Sequence, residues 1–424
     1  MLRRILARSG VVFAAIATLA TLALAPGSAR AGGNCSVTSV GLTPITDLGA
    51  GFYLGHQGGL YPGGSNVRPV LHNANGLSIA NAIAPLDTLG APDPAGRVVL
   101  ISIGMSNTTD EFSHFVPKAM GYSPRNPRLL VIDCAQGGQS AEKIVDPAWP
   151  YWDFVSARLR QAHSSPAQVQ VVWLKEAVAG PRGGWPAATD TLREYLGTIV
   201  QLLEQKLPNL KLCYLSSRIY AGYATGVSAL NPQPYAYESG FAVKDLIEAQ
   251  INGADSLSWQ QRRAPWLAWG PYLWADGLDA RADGLTWPCA DFLNDGTHPS
   301  QIARELVSDS LMRFFSTDET TVPWFLGSST AGVGLRAGTL ELAIAPNPAE
   351  SETEFRFGAP AGVGWRLEVL DAAGRRVSEI WRGFGNGTPV SVRWAGTGGA
   401  GVYWARLSAG TRVVSKAFVA LGRR

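Results

Sequence analysis

Between residues 98 and 216 the chain alternates short, nearly continuous apolar runs with stretches long enough for a helix. The runs 98–103, 129–135, 169–174 and 210–216 are built of Val, Ile and Leu with few polar positions between them. A strand that is apolar on both sides belongs in a sheet covered on both faces. Apolar residues at helical spacing over 108–120, 152–163, 189–206, 237–251 and 300–315 supply the covering layers. The alternation predicts an α/β fold with a doubly wound, flavodoxin-like parallel sheet.

On either side of this block the pattern changes. Residues 34–96 are rich in Gly, Asn and Pro ("GGLYPGGSNVRP") with little periodicity, which predicts an irregular arm wrapped on the domain behind it. Over 316–340 the helical spacing stops, and "STDETTVPW" and "GSSTAGVGLRAG" read as a linker. Beyond it the period becomes two: "TEFRFG", "WRLEVLD", "VSVRWAG", "VYWARLS" and "VVSKAFVAL" alternate between turn residues. The expected organisation is an α/β domain over 32–315, a linker over 316–340 and a small antiparallel β-sandwich over 341–424.

The first 31 residues are set apart. Arg3, Arg4 and Arg8 precede an apolar stretch over 11–25 and then Ala29-Arg30-Ala31, the three regions of a secretory signal peptide cut after Ala31. That stretch, about 15 residues, falls short of the roughly 20 that span a bilayer. The protein is therefore expected outside the cell or on its surface. In an oxidising compartment Cys35, Cys134, Cys213 and Cys289 allow two disulfides in three connectivities, while Cys134 and Cys213, inside apolar runs, fit buried free thiols equally well.

Composition narrows the function classes. Lys and Arg number 36 against 33 Asp and Glu, a net charge of +3 with no long run of either sign, so nucleic acid is not an expected partner. No CxxC pair or Cys/His cluster has metal spacing, and Asp276, Asp279 and Asp283 lack the order of a calcium loop. No cofactor or metal is expected. Gly396-x-Gly398-x-x-Gly401 lies between strands with no helix after it, which does not suit a dinucleotide.

In open α/β sheets the chemistry gathers at the carboxyl ends of the strands. The first run ends in Gly104-Met105-Ser106-Asn107 and enters a helix, where Ser106 is either a nucleophile or an ordinary helix cap. The second ends in Gln136-Gly137-Gly138-Gln139-Ser140, where glycine lets a backbone N–H approach a tetrahedral intermediate. Asp295-Gly296-Thr297-His298 precedes the last helix, and a carboxylate three residues before a histidine can hold the imidazole in one tautomer. The third run ends in Lys175-Glu176: Lys175 either donates to an oxyanion or pairs with Glu176 or another carboxylate. Trp269 and Trp274, within "PWLAWGPYLW", either stack on sugar rings or fill the core.

The ordered set of Ser106, Gly137, Asp295 and His298 resembles the SGNH, or GDSL-like, hydrolase family, and "GMSN" and "AQGGQS" are most similar to its carbohydrate-acetylesterase branch. The resemblance covers about 98–315. It implies Ser106 as nucleophile, His298 as general base, Asp295 as its orienting partner, and the N–H groups of Ser106 and Gly137 or Gly138 as oxyanion hole; Asn107, Trp269 and Trp274 are candidate substrate contacts beside it. Where the family supplies a further Asn or Gln donor, this chain has Lys175. The segment 342–421 resembles the Ig-like module of hook-capping proteins and type IX secretion sorting domains, which implies the export machinery or the cell surface as its partner. The function so implied is a secreted serine esterase or deacetylase acting on an acylated small molecule or carbohydrate. The alternative is a non-catalytic surface carbohydrate-binding protein on a degenerate form of the same fold.

Overall fold

The structure, a computed structural model, describes residues 33–225, 230–327 and, further on, 341–345, 347, 349, 352–358, 364–372, 374–384, 390–395, 399–409 and 412–421. The leader, the remainder of the linker over 328–340 and Gly396 and Gly398 lie outside the described residues.

Five parallel strands form the central sheet: β1 (Val98–Gly104), β2 (Leu129–Ile132), β3 (Val169–Lys175), β4 (Leu212–Leu215) and β5 (Trp266–Trp269), in the order β2-β1-β3-β4-β5. This is one of the common doubly wound orders, and its direction reverses between β1 and β3, where such folds open a crevice. Every residue of β1, β3, β4 and β5 is buried. A strand with no solvent-facing side leaves only its end for polar chemistry.

The helices are α1 (Val70–Asn81), α2 (Ser106–Gly121), α3 (Tyr151–Gln161), α4 (Ala187–Lys206), α5 (Tyr235–Ile251) and α6 (Gln301–Thr317). On α2 the buried positions Thr108, Glu111, Phe112, Phe115 and Ala119 recur at helical spacing. Phe112 stacks on Trp173 of β3, and Phe115 meets Phe315 of α6. Helices α1, α2 and α6 thus cover the face that carries Trp173, Tyr214 and Trp266. No helix among the described residues is long and apolar enough to cross a membrane.

Three expectations change. The arm is not irregular throughout, because α1 lies within it: its buried positions are His72, Gly76 and Ala80, with Val70 and Leu71 exposed, so it packs through small and polar residues and shows no apolar stripe. The linker begins later than residue 316: α6 runs to Thr317, and the turn Val322–Phe325 buries Trp324 and Phe325 in the same core. The aromatic stretch contains β5, and Trp269 and Trp274 are buried at 2 % and 0 % exposure. Trp269 Nε1 donates to Leu60 O at 2.7 Å. Both rings are core residues, and neither faces a sugar.

Cys35 and Cys289 form a disulfide, and Cys134 and Cys213 are buried free thiols. The bond ties the beginning of the arm to the segment just before Asp295. Asp276 anchors the arm as well: its carboxylate accepts from the N–H groups of Val40, Gly41 and Leu42 and from Ser39 Oγ.

Beyond residue 340 the strands β6 (Glu341–Ala345), β7 (Thr353–Gly358), β8 (Gly364–Leu370), β9 (Arg376–Phe384), β10 (Val390–Trp394), β11 (Gly401–Ala409) and β12 (Arg412–Ala420) make two antiparallel sheets, ordered β9-β8-β11-β12 and β10-β7-β6. They share one apolar cluster in which Phe355 and Trp394 of the smaller sheet meet Phe418 of the larger.

Gly76 faces the Trp266 ring so closely that an added methyl would collide with it. In an exposed helix Gly→Ala raises stability by about 1 kcal/mol. Here Gly76→Ala is expected to lower it by about 1–3 kcal/mol through overpacking, seen as a reduced midpoint in chemical denaturation.

Candidate active site

The end of β1 is stitched to its neighbours before the chain turns into α2. Gly104 O accepts from Gln136 N at 2.9 Å, joining it to the loop after β2. Thr108 Oγ1 donates to Lys175 O at 2.6 Å, joining the first turn of α2 to the end of β3. A side chain at Gly104 would collide with both of those oxygens. Ser106 therefore opens a helix whose first turn is tied to the end of β3, with first-turn N–H groups that have no acceptor within the helix.

Residues 291–300 form a tight turn. Leu293 N donates to His298 O at 2.8 Å and Ser300 N to Asp291 O at 2.7 Å. Within it Asp295 Oδ1 accepts from the N–H groups of Thr297 and His298, each at 2.9 Å, while Oδ2 accepts from His298 Nδ1 at 2.6 Å. Gly296 has φ +68° and lies against Tyr223, in a backbone conformation that suits glycine. The turn is held on the domain by Asn107, whose Nδ2 donates to Thr297 O at 2.9 Å.

His298 Nε2 lies 2.8 Å from Ser106 Oγ. With Nδ1 donating to the carboxylate, Nε2 is left as the acceptor for the serine hydroxyl proton. Burial alone would raise the Asp295 pKa, but hydrogen bonds from the backbone and side chain of His298 and from Thr297 N outweigh it and hold the carboxyl below its ordinary value. The group is an ionised acceptor, and the chain Ser106–His298–Asp295 has the geometry for removing a proton from the serine.

Gly137 lies beside the serine: a methyl group placed on it would be 3.8 Å from Ser106 Cβ. Gly138, at φ +76°, turns the loop, and its carbonyl accepts from Lys143 Nζ at 2.7 Å. Asn107 is 1 % exposed: its Nδ2 supports the histidine turn through Thr297 O, while its Oδ1 is buried without a hydrogen-bond partner.

Lys175 is not an oxyanion donor. Its ammonium is fully buried against both carboxylate oxygens of Glu111, each at 2.5 Å. Burial pulls the Lys175 pKa down to about 8, with Glu111 acting against that shift, and burial likewise raises Glu111. Glu176, the other partner considered, is buried too and pushed well above the carboxylate range by desolvation. Glu111 escaped notice in the sequence, although its place on the buried phase of α2 marks a carboxylate that needs a cation. Arg218, buried just beyond β4, carries no periodic signal at all.

No protein-family model matches the chain, and no curated protein matches it. Among solved structures, a carbohydrate acetylesterase from Xanthomonas citri aligns over 77% of this chain and 80% of its own at 9% identity and a TM-score of 0.27. Latent dimeric PorU from Porphyromonas gingivalis aligns over 21% of this chain and 10% of its own at 18% identity and a TM-score of 0.17. An endo-β-1,4-mannanase from Cellulomonas fimi aligns over 69% and 54%, at 13% identity and a TM-score of 0.18. Likenesses this slight carry no argument, and the reading of the site rests on its own geometry.

Removing one member of a buried ion pair costs about 3–5 kcal/mol, whereas replacing both by apolar groups is close to neutral. Lys175→Met is therefore expected to destabilise strongly and Lys175→Met with Glu111→Leu to restore most of the loss, measured by urea denaturation. A carboxyl whose folded pKa is depressed stabilises above its unfolded pKa and loses that contribution as pH falls through the folded one. The gap in thermal midpoint between wild type and Asp295→Asn should be constant at neutral pH and narrow as pH falls below about 4.

Proposed function

We propose that this protein is a serine ester hydrolase of SGNH type that removes acyl groups, with acylated carbohydrate the favoured class of substrate. The observation that carries the reading is the hydrogen-bonded chain from Ser106 Oγ through His298 to Asp295. Ser106 Oγ attacks the ester carbonyl carbon while His298 Nε2 takes its proton. The tetrahedral oxyanion lies toward the N–H groups of Ser106 and Gly137. It collapses to an acyl-enzyme as His298 returns the proton to the departing alkoxide. Water, deprotonated by His298, then attacks the acyl-enzyme, and the acid leaves as Ser106 regains its proton.

Two backbone donors serve the oxyanion in this scheme. The third strand contributes none, because Lys175 is consumed by Glu111, and each such donor is worth about 3 kcal/mol. The hydrolase is therefore a slow one, or its substrate brings a further interaction. The rival reading, a carbohydrate-binding protein without turnover, drew on Lys175 and the aromatic stretch; the burial of Trp269 and Trp274 removes the aromatic platform, while the Lys175–Glu111 pair leaves the other support standing. Export is part of the proposal and is supported by the pattern of the first 31 residues and by the Cys35–Cys289 disulfide. The segment 341–424, with its two antiparallel sheets, is proposed as an Ig-like module for sorting or surface attachment.

A fluorophosphonate probe should label wild type at Ser106, as located by peptide mapping, and leave Ser106→Ala unlabelled. On an activated acetyl ester, Ser106→Ala and His298→Ala should lower kcat by about 10⁶-fold and Asp295→Asn by about 10⁴-fold. Labelling elsewhere, or turnover that persists in Ser106→Ala, would show that the serine is not the nucleophile; it is not a helix cap either, since Met105 holds that position and no side chain caps α2.

A further inference from the structure

Arg218 is a buried charge with no hydrogen-bonded or ion-paired side-chain partner among the described residues. It follows β4 on the carboxyl edge of the sheet, the edge that carries Ser106, Gly137 and Lys175. The residue is 2 % exposed. Its Nε is sealed from solvent without a partner, and its guanidinium makes no hydrogen bond or ion pair with any described residue. Because Nε is sealed, the slight remaining exposure belongs to the outer end of the side chain, where the Nη nitrogens lie. Glu111, Glu176 and Asp295 are the carboxyls close enough to act on it through space. Of these, Glu111 is committed to Lys175 and Asp295 to His298. Glu176 Oε1 has no hydrogen-bond partner and its Oε2 accepts from Ala177 N at 3.2 Å, so neither oxygen is bonded to the guanidinium; burial raises its pKa.

A buried guanidinium is ordinarily paired, because leaving its charge uncompensated costs several kcal/mol. Here the lack of partners extends to the surroundings. Ser140 Oγ, Glu142 Oε2, Glu176 Oε1, Ser217 Oγ and Asn231 Oδ1 are also buried with none. These residues belong to segments knit together at the ends of β3 and β4. Ala141 N donates to Ala177 O at 3.0 Å, Ala179 N to Glu142 Oε1 at 3.4 Å, and Asn231 Nδ2 to Val178 O at 3.1 Å. The result is a built polar region that adjoins the serine site and has donors and acceptors to spare.

We infer that Arg218 is a specificity-determining residue: its guanidinium binds a carboxylate on the substrate, with Ser217 and Asn231 available to neighbouring hydroxyl groups. The preferred ester is therefore an anionic one. This inference rests on the hydrolase reading for the ester but not for the carboxylate site. A guanidinium matches a carboxylate in paired, charge-assisted hydrogen bonds. The carboxylate then supplies the interaction that a site with two oxyanion donors needs from its substrate.

Full-length Ser106→Ala protein, titrated calorimetrically with glucuronate and with glucose, tests the site without turnover. Glucuronate is expected to bind at least about 30-fold more tightly, and Arg218→Ala in the same background should erase the difference, with Arg218→Lys keeping part of it. Should Arg218→Ala fail to fold, the glucuronate-to-glucose comparison decides alone. Two ester pairs then locate the anion. Acetylated glucuronate against acetylated glucose reports a carboxylate on the alcohol side. The 4-nitrophenyl hemisuccinate against 4-nitrophenyl acetate reports one on the acyl side. A kcat/KM ratio of about 30 in either pair, collapsing in Arg218→Ala, supports the inference. Equal binding of both sugars, or ratios near one in both pairs, overturns it while leaving the hydrolase intact. Arg218-dependent glucuronate binding with no ester cleaved overturns the hydrolase reading and leaves the carboxylate site standing.

Discussion

Asp295 bonds three times within four residues of itself, and the rest of the site depends on that local closure. Two N–H groups on Oδ1 fix the turn, and the imidazole on Oδ2 can point in only one direction. The turn would still be free to drift from Ser106, which is remote in sequence, without the ties that reach it from elsewhere. Asn107, the residue after the serine, holds Thr297, and the Cys35–Cys289 disulfide fastens the arm just before the turn. The same helix end that offers the hydroxyl thus also positions the base.

The sheet imposes the second constraint. Strands buried on both faces accept no charge along their length, so polar groups collect where they end, and there the protein keeps several ionisable side chains away from water. Lys175 and Glu111 resolve this by pairing. Such a pair adds little net stability compared with apolar packing, but either half alone is costly. It also fills the position at the end of β3 from which a third oxyanion donor would act, which links a packing decision beneath α2 to the chemistry at its first residue.

Much of the fold was legible because its signals are local. The runs that became β1, β2, β3 and β4 are nearly continuous in apolar residues, and the helices between them carry a clear period, as α2 does through Phe112, Phe115 and Ala119. Helix α1 was hidden because a helix that packs through Gly76 and His72 has no stripe to read. Strand β5 was hidden because a run of tryptophans suits a sugar platform as well as a core. The Asp295-x-x-His298 spacing was readable for the same local reason: a carboxylate and an imidazole three residues apart can close one turn by themselves.

Periodicity and spacing along the chain were thus enough to determine the parallel α/β layering, the alternating strands beyond residue 340 and the identity of a serine, a histidine and an aspartate worth testing. What Lys175 faces, whether Trp269 lines a cleft, which cysteines join and that Arg218 lacks a partner were decided only by tertiary structure. The physical reason is common to all four. Each depends on which distant groups share a desolvated space, and the free energy of a buried charge, ring or thiol is set by those neighbours and not by the residues adjacent to it in the chain.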